Sequence, residues 1–175
     1  MWYGTPGVPH DRAMEDTVQT PDTPTELRAT LAAIGATPST VAMLLTELDE
    51  AALRYAAPGG RCCLDLLDDL VTSSLHLGSV AHDVLGHAPG AGSAAPGEES
   101  ARPTAEMVQT RLRFLREHIV STVDQQGVAV WSHPTPAGRP LFAHAVDLQR
   151  DDAATLAELR RAVAAARSAY PVTSR

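Results

Sequence analysis

Residues 62–82, CCLDLLDDLVTSSLHLGSVAH, decide how the chain is read. Leu64, Leu67, Val71 and Leu75 recur at steps of three and four, the spacing of one face of an α-helix. Asp65, Asp69, Thr72 and His76 follow the same rhythm, four, three and four residues apart, and form a polar line bordering the apolar one. A helix is therefore expected from about Cys62 to His82. Part of its polar line should turn toward neighbouring helices.

Upstream, Ala57-Pro-Gly-Gly60 is a turn signal that separates this helix from an earlier one. That first helix is expected over Glu26–Leu48, with Leu27, Leu31, Ile34, Val41, Leu45 and Leu48 as its apolar stripe. Pro38 lacks a backbone donor, so a kink, or a short break with Thr37 capping a new start, is expected there. Downstream, residues 87–103 are rich in Gly, Pro, Ala and Ser and read as a long mobile loop. Thr104 is placed to cap a third helix carrying Val108, Leu112, Leu115, Ile119 and Val123, which ends before Gly127. Residues 128–138 read as an extended stretch and turn. A fourth helix is expected from Pro140 to Ala169, with Leu141, Ala145, Leu148, Leu156, Leu159 and Val163 on its apolar face. The expected fold is thus all-α, a four-helix bundle over residues 24–170 with a flexible N-terminal arm (1–23) and a short tail (171–175).

Composition agrees with this. Among 175 residues, 44% are hydrophobic and only 4% aromatic, so a core of Leu, Val, Ala and Ile is expected, which suits packed helices. The net charge of −7 argues against nucleic acid as a partner, since phosphate contacts need clustered positive charge. All fourteen basic residues are Arg, and Lys and Asn are absent, as in chains from GC-rich bacterial genomes of the actinobacterial type. No membrane span or leader pattern is read, and a cytoplasmic protein is expected. Adjacent Cys62 and Cys63 are poorly placed to bridge one another and read as two reduced thiols at a helix start.

The fourth helix repeats the polar line of the second. His144, Asp151 and Thr155 are spaced seven and four, while Asp152 falls within the apolar face between Leu148 and Leu156. Carboxylates and imidazoles facing each other across two helices are how bundles build metal and acid–base sites. Of the other histidines, His10 lies in the arm, His82 and His87 flank the long loop, His118 is expected exposed beside Arg116 and Glu117, and His133 is expected to have a structural place in the turn. Trp131 is expected to pack beneath that turn.

Four segments in this order resemble the DinB-like superfamily, which includes bacillithiol and mycothiol S-transferases and mycothiol-dependent maleylpyruvate isomerase. They are Thr46–Arg54 with Ala57–Gly60, then Cys62–Thr72, then Trp131-Ser-His-Pro134 with Gly138, and lastly Asp151–Arg161. The resemblance implies a bundle whose second and fourth helices hold a divalent metal, usually zinc or nickel, on three histidines. Those positions fall here on Asp69, Asp151 and Thr155, none of them a histidine. Two carboxylates and a hydroxyl form a harder oxygen-donor set than three imidazoles. The expectation is therefore a metal-free acid–base site of Asp69, Asp151, Thr155, His144 and His76. A divalent ion on Asp69, Asp151 and Thr155 is the alternative. His76 lies seven residues after Asp69 and His144 seven before Asp151, about 10 Å of helix in each case. The resemblance thus implies an enzyme of specialised or thiol-related metabolism, acting on a small molecule by transfer or isomerisation. The competing readings are a non-catalytic module that binds a small ligand or partner, and a mycothiol-dependent S-transferase with an altered metal site. A homodimer is common among proteins of this resemblance.

Overall fold

The computed structural model describes residues 24–86, 103–125 and 127–171. The N-terminal arm, most of the long loop and the last four residues of the tail lie outside the described residues. The chain is all-α: among the described residues it forms six helices and no strand. These are α1 (Pro24–Leu45), the short α2 (Glu50–Leu53), α3 (Cys63–Leu85), α4 (Ala105–Gln125), the single turn α5 (Val128–Trp131) and α6 (Leu141–Ala169). Substantial contacts link α1 to α4, α4 to α3, α3 to α6 and α6 to α1, so the four long helices close a ring around the core.

Local chemistry accounts for most of the boundaries. Thr104 Oγ1 accepts from the Met107 amide at 3.3 Å and starts α4, as its sequence implies. Asp49 caps α2 by accepting from Ala52 N at 2.8 Å. The Cys62 amide donates to Asp65 Oδ2 at 3.3 Å at the head of α3. That helix closes on Gly86, whose left-handed φ of 64° costs a glycine little.

Four expectations are corrected. The first helix does not break at Pro38, which sits inside a continuous α1. Thr37 is not a cap either. Its hydroxyl donates instead to Asp152 on α6 at 2.7 Å, so an interhelical bond takes the place of the expected local one. The helix also stops at Leu45 and not at Leu48, because Glu47 adopts a φ of 71° that no α-helix accommodates. Residues 128–131 form a helical turn and not an extended stretch; Ser132 N and His133 N bond back to Ala129 O and Val130 O.

Two groups of buried side chains fill the ring. One joins Val41, Leu45, Leu66, Leu70, Leu112 and Leu159; the other joins Leu27, Ile34, Leu77, Ile119, Trp131 and Leu148. Trp131 is buried under the turn before α6, as expected. On α3 the buried face is Cys63, Leu66, Leu67, Leu70, Val71, Ser74, Leu77 and Ala81, while Leu75 is exposed and Leu64 only half-buried. The face is rotated from the expected stripe, and this carries the polar line outward. Within α1, Thr25–Leu45 has the length and mean hydropathy (1.2) of a minimal membrane span, contrary to the expectation that the chain holds none. Its apolar stripe of Leu27, Leu31, Ile34, Val41 and Leu45 is nonetheless buried against the other helices.

Candidate functional site between α3 and α6

The rotation of α3 places Asp69 at the seam with α6, half-buried, while Thr72 and His76 are exposed. On α6, Asp151 is exposed and Thr155 half-buried. Asp69, Thr72, Ser73, Asp151, Ala154 and Thr155 together line a shallow depression of about 310 Å³ between the two helices. Three of the five expected site residues therefore share one surface.

The other two meet elsewhere on the same pair of helices. His76 and His144 approach edge to face, with ring centroids 6.2 Å apart and ring planes at 62°. His144 Nε2 lies 3.4 Å from Thr135 Oγ1, a buried hydroxyl. Thr135 belongs to a tight turn in which its amide donates to Arg139 O at 2.7 Å and Gly138 N donates to Thr135 O at 2.8 Å. Gly138 has a φ of 79°, which few side-chain-bearing residues adopt. Partial burial holds the His144 imidazole below its ordinary pKa, with the charges of Arg139 and His76 acting in the same direction and Asp147 opposing them. At neutral pH His144 is accordingly an uncharged ring able to accept a proton.

Asp69 is ion-paired with Arg61, whose guanidinium also donates to Asp65 O at 3.2 Å. Both partners are more than two-fifths exposed, so water screens the pair. Neither Asp69 nor Asp151 is buried. The buried carboxylate is the neighbour, Asp152, only 4% exposed. Arg116 on α4 donates to it at 2.7 Å, and Thr37 on α1 donates at 2.7 Å. Burial pushes this carboxyl up, against the opposing pull of Arg116 and Thr37, and burial likewise pushes the guanidinium down. Arg116 is fully buried, and its Nε and Nη1 have no acceptor among the described residues. Sequence reasoning missed this three-helix connection, although the spacing of α6 does place Asp152 on an apolar face. Arg116 carries the matching signal: it follows Leu112 by four and precedes Ile119 by three.

The three positions that the resemblance assigns to metal ligands do not fit a zinc or nickel triad. They offer no nitrogen, and Asp69 is already bound to Arg61. Among the described residues no group of three or more His, Cys, Asp or Glu side chains is arranged to hold a metal ion. A larger depression of about 420 Å³ lies on the opposite side, between α1 and α4, around Pro38, Gln109 and Arg113. No histidine or cysteine lines it. Compared with known proteins, the chain matches no family model, no curated protein and no solved structure.

Proposed function

We propose that this chain is a small-molecule enzyme on a DinB-like four-helix bundle whose metal triad has been replaced, and that it moves protons in the α3/α6 groove during an isomerisation or group transfer. The observation that carries this reading is the shared depression of Asp69, Asp151 and Thr155, the three positions on which the resemblance lays the family's ligands. A shared surface is what a retained site with altered chemistry requires. His144 adds a neutral base held by Thr135, with His76 beside it. In this reading the carboxylates orient a polar substrate and His144 accepts its proton.

The test is turnover of thiols, mycothiol included, with a chromogenic electrophile, measured for the parent chain and for Asp151→Asn and His144→Gln variants. Activity that falls at least a hundredfold in both folded variants supports the reading. Activity unchanged in both removes it. A second reading, a non-catalytic ligand-binding module, draws support from the shallowness of the depression and from the engagement of Asp69 by Arg61. It is favoured if ligands bind in the groove and none is turned over.

A further inference from the structure

We propose that His76 and His144 form a two-nitrogen site for a first-row transition metal, clamping α3 to α6. The proposal shares these residues with the function above, but it rests on their geometry and its readout is binding. The two imidazoles come from different long helices, and their centroids are 6.2 Å apart with the planes at 62°. A metal–nitrogen bond of about 2.1 Å sets each ring centroid about 3.2 Å from the metal, so two rings on one tetrahedral ion have centroids about 5.2 Å apart. The observed pair must close by about one ångström. Because His76 is exposed, its side chain is free to rotate and supply that movement.

His144 is prepared for ligation by its surroundings. The hydrogen-bond contact to buried Thr135 occupies Nε2, leaving Nδ1 as the nitrogen for a metal. Second partners of this kind fix ring orientation at metal sites generally. The nearest carboxylate on the same helix, Asp147, is engaged by Arg139 at 2.8 Å and Arg150 at 2.6 Å. Two imidazoles with water at the remaining positions favour copper, nickel and zinc over magnesium or calcium. A bound ion takes the lone pairs that proton transfer would use, so loading and acid–base use of the pair exclude one another.

A second histidine pair makes the assignment falsifiable. His82 on α3 and His118 on α4 have centroids 6.1 Å apart, but their planes are tilted by only 32° and His118 stacks on Phe114. The experiment is calorimetric titration of the full, metal-stripped chain with nickel and zinc chlorides, alongside His76→Ala, His144→Ala and His118→Ala variants. Expected is one ion per chain, at least tenfold weaker binding in the first two variants and unchanged binding in the third. Binding that survives both His76→Ala and His144→Ala, binding lost only with His118→Ala, or no binding at all overturns the proposal. If nickel binds as expected while turnover of the parent chain is unaffected by it, the metal site stands and the catalytic role of His144 falls.

Discussion

Arg116 and Asp152 form an ion pair between α4 and α6 with Nη2 2.7 Å from Oδ1, the guanidinium side chain wholly buried and the carboxylate 5% exposed. Removing two charges from water is costly, and such a pair is sustained by geometry and added hydrogen bonds. Thr37 supplies one of these bonds from α1, so three of the four long helices meet at Asp152. The contact sits about one turn of α6 from Leu148 and fixes how α6 is rotated, which in turn sets Asp151 on the groove side.

Breaking this pair from one side strands a buried charge. Asp152→Leu, which strands the buried Arg116, is expected to destabilise the fold by about 3–5 kcal/mol, whereas replacing both partners with apolar residues of similar volume costs far less or nothing. Urea denaturation of Asp152→Leu, Arg116→Met and the double variant measures this. The double variant should be more stable than either single one.

Protonation of His144 opposes folding. Its pKa in the folded chain lies below the ordinary imidazole value, so the folded state binds this proton less tightly than the unfolded chain. This contribution to stability is complete above about pH 6.5 and is lost as the pH falls from there toward the depressed folded value. Melting temperatures measured from pH 7.5 down to 5 should fall less steeply in His144→Gln than in the parent chain.

The two cysteines differ although they are neighbours. Cys63 is fully buried and its thiol is pushed up to about 11 by burial, whereas Cys62 is half-buried at the head of α3. Since thiolate is the reactive form, native protein at pH 8 should be alkylated once, at Cys62, and twice after denaturation. Mass spectrometry of iodoacetamide-treated protein reads this directly, and rapid double labelling of the native chain would contradict it.

The groove carboxylates should separate function from stability. Asp69 pairs with Arg61 near the surface, where water screens the pair, so Asp69→Asn is expected to leave stability nearly unchanged. Thermal melts of Asp69→Asn and Asp151→Asn should overlay that of the parent. A large loss in either would show that the residue supports the fold.

Much of the helical framework is legible in the sequence because apolar period and end signals agree. α3, α4 and α6 start and finish within three residues of expectation, and Thr104 and Pro140 mark two of the starts in ways sequence can show. The features that are not legible depend on partners distant in the chain. Pro38 reads as a break because sequence shows the missing donor but not the α4 and α6 surfaces that hold α1 together. On α3, Leu64, Leu66, Leu67, Leu70, Val71, Leu75 and Leu77 offer two overlapping stripes, and only the position of α4 and α6 selects between them. Arg116 stands in register with Leu112 and Ile119, but a charged residue reads as exposed until a buried carboxylate appears opposite it. Asp151 and Thr155 share one line of α6 by their spacing of four, but nothing in the spacing joins them to Asp69 on α3, since residues on separate helices carry no mutual spacing signal.

That the α3/α6 groove is the working surface is tested most directly by backbone amide NMR of the labelled chain, titrated with thiols that include mycothiol and with small carboxylic acids. Shifts are expected to gather at Asp69, Thr72, Ser73, Asp151, Ala154 and Thr155. Shifts gathered instead around Gln109 and Arg113 in the α1/α4 depression, or no shifts with any of these compounds, would contradict it.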